Sequence, residues 1–348
     1  MRQLSIIVGL FAAFLLVEAA SGQALIFEHD GLDRRYRLHL PDDLPENAPL
    51  VLVLHGYGGG GASMQNNYGW TELADEMGFA AVFPDGTRDQ WNSRFWQVGY
   101  EFHTNNDVDD DSFLVALVQA LQTEHDLDPD RTFVTGLSNG GDMSYQLACR
   151  HSEVFAGFAP VVGTMMESLY VDCNPTQIRP ILAMNGTDDD ITLFDGDMDN
   201  SDGWGAYRPV PDVVELWSEI METSILRSST LPDTAPNDGS IIEFDRYQSK
   251  NHPCEFWFYR VVGGGHDWPG QYGNMDIDAT REIWDFFAAI EIDPPSNPAD
   301  LNGDGFVNAA DLGLMLGGWG IGSTIGDLNG DGNTDSADVG LLLSNWTG

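Results

Sequence analysis

The stretch FVTGLSNGGDMSYQLA (residues 133–148) sets Ser138 in a glycine-rich turn between a β-like run and a helix-like run. GLSNG fits the pattern G-x-S-x-G, whose glycines allow the strained strand-to-helix turn that lifts a serine hydroxyl clear of a sheet edge. A serine hydroxyl attacks a carbonyl only when a base removes its proton, so a histidine is expected later in the chain. His266, in VVGGGHDWPG, follows a β-like run on a glycine-rich loop and fits that place. The base needs a carboxylate to hold its tautomer and stabilise the imidazolium; ILAMNGTDDDIT ends a β-like run with Asp188, Asp189 and Asp190. Backbone N–H donors for the developing oxyanion are expected at Asn139, directly after the serine, and at Tyr57 in HGYGGGG (55–61). That second loop does not read as a phosphate cradle. It lacks the G-x-x-x-x-G-K-[ST] lysine, and a net charge of −40 disfavours a phosphate ligand. The chemistry that these parts serve is two-step acyl transfer to water through an acyl-serine, with no cofactor; the triad by itself fits an esterase, a thioesterase or a peptidase.

The elements that must hold these residues alternate. PLVLVLHG (49–56), FAAVFPDG (79–86), RTFVTGLS (131–138), FAGFAPVVG (155–163), PILAMNGT (180–187) and EFWFYRVVGG (255–264) read as short buried strands. Helices are predicted over 70–77, 112–124, 139–150, 211–222 and 278–290. In the second of these, Phe113, Leu117, Ala120 and Leu121 share a face. Asp109, Asp110 and Asp111 precede that helix and suit its N-terminus, where acceptors cap N–H groups. ALIFEHDGLDRRYRLHL reads as a hairpin around HDGLD. Alternating strands and helices predict a mostly parallel sheet covered on both faces, and the order Ser, Asp, His is that of an α/β-hydrolase.

Composition sets the surroundings. The chain has 348 residues with 55 acidic and 15 basic ones, and Lys250 is the single lysine. Such a surface excludes a nucleic-acid partner. Met1 and Arg2, the apolar run from Leu4 to Val17 and the small residues of EAASGQA read as a secretory signal peptide over 1–22, with no membrane span in the mature protein. Export permits a disulfide, and Cys149 with Cys173 is the expected pair, leaving Cys254 as a buried thiol.

The hydrolase-like pattern runs from 23 to 292. EIDPPSNPA marks a proline-rich linker (293–299), and the tail from 300 to 348 carries seven aspartates with no lysine, arginine, histidine or glutamate. Two copies of one pattern lie 27 residues apart: DLNGDGFVNAADLGLMLGGWG and DLNGDGNTDSADVGLLLSNWTG. Oxygen-bearing side chains fall at loop positions 1, 3, 5, 9 and 12, with glycine at 6. The sets are Asp300, Asn302, Asp304, Asn308 and Asp311, then Asp327, Asn329, Asp331, Asp335 and Asp338. Hard oxygens at that spacing suit Ca²⁺. The apolar runs after each loop read as short helices that pack together once a metal neutralises the loops. The paired loops resemble a dockerin, a small all-α module that plugs extracellular enzymes onto a cohesin. The resemblance implies a cohesin-like or cell-surface partner. Ala309-Ala310 and Ser336-Ala337 stand where many dockerins carry Ser-Thr.

LVLHGYGGGG, NDVDDDSFLVALV, DPDRTFVTGLSNGGDMSYQLAC, FAGFAPVVG, NGTDDD and GGGHDWPG together resemble the extracellular polyhydroxybutyrate depolymerase and feruloyl esterase group. The resemblance implies a secreted serine esterase with Ser138, His266 and Asp189 as its triad, Asp190 being the alternative acid. The group usually has His-Gly-Thr before the acid, where this chain has NGT. It implies feruloyl or acetyl esters of plant-type polysaccharide as substrates, with a polyhydroxybutyrate depolymerase as the runner-up. A calcium-dependent adhesion or scaffold protein with an inactive hydrolase domain stays open beside both. Trp91, Trp96 and Trp268 flank the site motifs as substrate contacts or as core packing. The acidic run DGDMDNSDG (195–203) begins like a calcium loop but lacks its glycine and closing acid, so it reads as a solvated loop.

Overall fold

The computed structural model describes residues 23–103, 108–251, 253–290, 298–302, 307–321 and 326–347. The expected signal peptide and most of the proline-rich linker lie outside these residues. The chain opens with the expected hairpin, β1 (Leu25–His29) and β2 (Leu32–His39), which turns at Asp30 and Gly31 with φ of 50° and 73°. There follow β3 (Leu50–Leu54), α1 (Gly61–Asn67), α2 (Trp70–Met77) and β4 (Ala80–Pro84). A two-residue ribbon, β5 (Thr87–Arg88) and β6 (Arg94–Phe95), leads to α3 (Asp110–His125). Then come β7 (Thr132–Leu137), α4 (Asn139–Arg150), β8 (Gly157–Val161), α5 (Glu167–Asp172) and β9 (Ile181–Gly186). The body closes with α6 (Val210–Ile220), β10 (Thr223–Thr230), β11 (Ile241–Ser249), β12 (Glu255–Val262) and α7 (Ala279–Ala288).

One sheet runs β1-β2-β4-β3-β7-β8-β9-β12-β11-β10. The six central strands pair in parallel and antiparallel strands close both edges. The sequence pattern gives no strand between 223 and 249, where the structure has two. β10 sits at the edge with its side chains almost all outside the core, so TSILRSST carries no apolar alternation to read.

Alternation along β3 builds both layers. Leu50, Leu52 and Leu54 face a core with Phe113, Leu117, Leu147 and Val213, whereas Val51 and Val53 face another with Met64, Trp70, Ile283 and Phe287. Helices α3, α4 and α6 therefore cover one face and α1, α2 and α7 the other. Asp109 caps α3 as expected, accepting from the N–H of Ser112 at 2.9 Å. Asp110 and Asp111 do something else. Asp110 is buried against the Arg34 guanidinium and the N–H of Gln97, and Asp111 accepts from Gln146 and Arg150, which ties α3 to β2 and α4. A disulfide joins Cys149 and Cys173 with 5.0 Å between their Cα atoms, and the buried Cys254 thiol donates to the carbonyl of Ile178.

The tail has a small core of its own: Ala299, Val307, Met315 and Leu342 are buried. Helices α8 (Ala309–Gly317) and α9 (Ser336–Ser344) flank a short ribbon of β13 (Gly320–Ile321) and β14 (Asn333–Thr334). The helices do pack on each other through Met315 and Leu342, yet Leu314, Leu316 and Trp319 stay exposed, as do their counterparts Leu341, Leu343 and Trp346.

Candidate active site

Ser138 sits between β7 and α4 with φ 57° and ψ −120°, a conformation that a side-chain-bearing residue adopts only under constraint. The constraint is crowding around the two pattern glycines. A Cβ on Gly136 would lie 2.4 Å from the carbonyl of Gly140, and one on Gly140 would lie 2.5 Å from the carbonyl oxygen of Leu54. The N–H of Ser138 is anchored on the Val161 carbonyl at 2.9 Å, so the turn is locked to β8 as well.

His266 Nδ1 lies 2.7 Å from Asp189 Oδ2, across 77 residues of sequence. The other oxygen of Asp189 accepts the N–H groups of Ile191 and Thr192, each at 2.8 Å, which fixes the buried carboxylate at the end of β9. Asp190 and Asp188 are exposed, so of the three consecutive aspartates it is Asp189 that meets the imidazole. With Nδ1 engaged, Nε2 is the ring nitrogen available to the cleft that His266 and Ser138 both line.

The segments expected to bind an oxyanion are braced from beneath. His55 is buried, with Nδ1 on the Gly56 carbonyl at 2.8 Å and Nε2 accepting the N–H of Gly86 at 2.9 Å. Burial is the leading cause that drives its pKa down to about 4, so the ring is neutral and holds the loop as a fixed tautomer. The indole N–H of Trp96 donates to the His55 carbonyl at 2.9 Å. Its backbone N–H donates to Asn139 Oδ1 at 2.6 Å, and the Asn139 amide returns a bond to the Trp96 carbonyl at 3.1 Å. Trp96 thus staples the Tyr57 loop to the start of α4.

Two of the three tryptophans expected as substrate contacts are therefore reassigned. Trp96 is 0% exposed and acts as that staple, and Trp268 is 0% exposed, packed against Tyr68 and Trp70 with its N–H on Thr280. Substrate contact and core packing were both open for each because it adjoins a site motif, and the structure has both rings in the core; neighbouring positions on an extended segment point to opposite sides. Trp91 is 62% exposed against Phe102 and does not line the cleft.

The cleft has a volume of about 270 Å³. Its walls come from residues that the sequence did not single out, Tyr100, Met166, Trp204 and Tyr207, together with Tyr57, whose ring packs edge-on against Trp204 at 5.5 Å. Trp204 and Tyr207 arrive from beyond the acidic run 195–203. There Asp197 accepts from Ser201 and Asp202, closing a loop on itself. Asp142 also lines the cleft, with burial as the leading cause that raises its pKa to about 7. The signal that could have found it is its place in the first turn of the helix that follows Ser138.

In the tail, Asp327 accepts the N–H groups of Asp331 at 3.1 Å and Gly332 at 2.8 Å, and the Asn329 amide donates to Asp331 at 3.1 Å. Loop positions 1, 3 and 5 of the second repeat thus curl around one point, with Gly332 at φ 87° making the bend. Position 12 is spent differently. Asp338 is buried and accepts the N–H groups of Leu328, Asn329 and Asp335, and Asp311 repeats this with Leu301, Asn302 and Asn308. Positions 9, Asn308 and Asp335, cap α8 and α9. Asp304 lies outside the described residues. Among those described, no three His, Cys, Asp or Glu side chains form a group placed to hold a metal.

Residues 34–206 match the family described as Esterase PHB depolymerase. The chain is 30% identical to "Putative esterase NocK" of Nocardia uniformis, over 69% of this chain and 72% of that protein. It is 29% identical to poly(3-hydroxyalkanoate) depolymerase C of Paucimonas lemoignei, over 66% of this chain and 58% of that one. With feruloyl esterase C of Emericella nidulans the identity is 25%, over 74% of this chain and 84% of that one. Thus the chain spans less than two thirds of the depolymerase. Among solved structures, the acetyl xylan esterase from Aspergillus awamori superposes with a TM-score of 0.55 at 14% identity, covering 76% of this chain and 98% of that one, which shows the fold. Among the described residues no helix is long and apolar enough to cross a membrane.

Proposed function

The chain belongs to the esterase PHB depolymerase family and is a serine carboxylic-ester hydrolase; from that premise we propose that it is secreted and cleaves feruloyl or acetyl esters of a plant-type polysaccharide. The observation that carries the catalytic part is the Asp189–His266 pair, 2.7 Å apart, in one cleft with Ser138 on its strained turn. Ser138 Oγ attacks the acyl carbonyl as His266 Nε2 takes its proton. Asp189 keeps the imidazole in the required tautomer and stabilises its cation. The N–H groups of Tyr57 and Asn139 receive the oxyanion. The alcohol leaves with the proton from His266. Water, deprotonated by the same ring, then releases the acid and restores the serine.

The relatives named as feruloyl esterases and as a depolymerase support two acyl classes. The walls formed by Tyr57, Trp204 and Tyr207 favour a planar acyl group over a flexible one. The test is release of ferulate from methyl ferulate, with Ser138→Ala as the blank and a polyhydroxybutyrate suspension assayed in parallel. Serine-dependent ferulate release without clearing is expected; clearing without ferulate release moves the enzyme to polyester.

For the tail we propose Ca²⁺ binding and, through it, attachment to a protein or cell-surface partner in the manner of a dockerin. The donor set supports this: hard oxygens curl around one point in the second repeat, and the bend glycine is in place. Ca²⁺ would be held by Asp327, Asn329 and Asp331 there, and by the matching Asp300, Asn302 and Asp304. The lone pairs that Asp311 and Asp338 retain would complete the sets. Asn308 and Asp335 would add the position-9 oxygens. The ion would supply charge neutralisation to the tail alone.

A further inference from the structure

One ionisable group in the cleft has no part in the hydrolysis. Asp142 lies in the first turn of α4, four residues after Ser138, and both residues line the cleft. The residue is 4% exposed. Its Oδ2 accepts the Tyr100 hydroxyl at 2.5 Å and its Oδ1 accepts the N–H of Thr164 at 2.7 Å. Removing a carboxyl group from water is costly, and among the described residues no arginine or lysine side chain bonds to this one to offset the cost. An apolar side chain would fill the same place in the wall more cheaply. Each carboxyl oxygen can accept two hydrogen bonds and has one donor from the protein, so the group retains acceptor capacity where it lines the cleft.

The substrate constrains which part can arrive there. A polymer cannot be buried in about 270 Å³, so the polymer stays at the open mouth and the terminal acyl group takes the inner end. The buried part of the lining is apolar at Met166 and polar at Asp142, Tyr100 and Thr164, whereas Trp204 is half-buried and Ile191 exposed. The buried part therefore fits an acyl group with an apolar body and a hydroxyl. A cationic group would also pair with a carboxylate, but it would have to shed its own hydration among these aromatic walls.

We propose that Asp142 is a specificity-determining residue, whose carboxyl group accepts a hydrogen bond from a hydroxyl on the acyl group of the ester. This rests on reading the Ser138 cleft as the ester site. Two sources share the chemistry: a ring hydroxyl, as in a hydroxycinnamoyl group, and a chain hydroxyl, as in a hydroxyalkanoyl group.

The test compares kcat/KM within two pairs of methyl esters, 4-hydroxycinnamate against cinnamate and 3-hydroxybutyrate against butyrate, for the full chain and for Asp142→Leu and Asp142→Asn. Assayed at pH 8, where the carboxyl group is ionised, the wild type is expected to favour the hydroxylated member of one pair by about tenfold or more, the range of one hydrogen bond to a charged group. Asp142→Leu should bring that ratio close to one, and Asp142→Asn, which keeps one acceptor oxygen, should leave it between. The pair that shows the preference identifies the source; a preference confined to hydroxybutyrate upholds the inference and sinks the feruloyl reading. If Asp142→Leu fails to fold, the drop in ratio with Asp142→Asn decides. An equal rate on both members of each pair in the wild type, or a ratio that both variants leave unchanged, overturns the inference while the esterase reading stands. Absence of Ser138-dependent hydrolysis of every ester overturns the reading of the cleft, and the inference with it.

Discussion

In the hydrolase body, buried carboxylates are held by groups distant in sequence: Arg34 lies 76 residues from Asp110, His266 lies 77 from Asp189, and Thr164 reaches Asp142 from 22 residues on. In the second tail repeat, Asp327 and Asp331 accept N–H groups two to five residues away, and Asp331 is exposed. The body can bury charge because two large cores fix the donors in advance. The tail buries Ala299, Val307, Met315 and Leu342, and so small a core supplies little free energy of its own. Its seven aspartates have no cation in the same segment to offset them. The difference is one of who supplies the counter-group: the fold itself in the body and at the tail's buried Asp311 and Asp338, and, on the reading proposed above, an added ion for the tail's other aspartates.

The largest expected effect tests the body's side of that contrast. Ser138→Ala and His266→Ala should each lower kcat by about 10⁴-fold or more, and Asp189→Asn by about 10²- to 10⁴-fold, with melting temperatures close to that of the wild type. Asp190→Asn should change the rate little. A comparable loss at Asp190 would mean that the carboxylate holding His266 has been misassigned, and single-turnover acylation rates with thermal melts would show it.

Next in size is the tail's dependence on metal. Ca²⁺ at about 100 times its Kd should stabilise the tail by about 2.7 kcal/mol, and chelation should remove that while the body's own transition and esterase activity stay put. Proteolysis followed by mass analysis reads both regions at once. Equal protection of residues 300–348 with Ca²⁺ and with chelator would break the contrast.

A pH-dependent effect lies in the cleft. Because burial lifts the pKa of Asp142 from the usual 3.8 to about 7, the folded chain keeps a proton there that the unfolded chain releases between those values. The stability from this group is full below about pH 4 and is lost as pH rises through 7, by up to about 1.4 kcal/mol per pH unit. Asp142→Asn lacks that titration, so its stability relative to wild type should rise from pH 4 to about pH 7 and level off above it. Urea unfolding at three pH values measures it, and a constant difference across the range would show that Asp142 is charged throughout.

His55 has the opposite slope. Its depressed pKa, about 4 against the usual 6.5, means stability present above 6.5 and lost as pH falls through 4. Between pH 4 and 6.5 the two buried groups therefore pull the body's stability in opposite directions, which is why the difference measurement on Asp142 is needed.

Much of the arrangement was legible in the order of residues. The elbow could be read because a serine between close-packed glycines, after an apolar run and before a helical one, leaves few backbone solutions. The strands of the central sheet could be read because parallel strands buried on both faces are continuous apolar runs. The Cys149–Cys173 pair followed from export and a modest loop. Three consecutive aspartates, by contrast, look alike in sequence; it is the bonds from Ile191 and Thr192 that turn Asp189 inward. Trp96 and Trp268 were misjudged because proximity to a motif along the chain does not say which side of the loop a ring falls on.

What the sequence determined by itself is whatever depends on short spacing and chain order: the strained serine turn, the late histidine, the acid run after a strand, the duplicated oxygen pattern of the tail. What the tertiary structure alone decided is which groups lose their water. Asp142, Trp204, Tyr207 and the staple at Trp96 come to the cleft through contacts between segments 40 or more residues apart in the case of Trp96 and His55 or Asn139. Burial is a property of everything packed around a residue at once, so no local pattern of residue types encodes it.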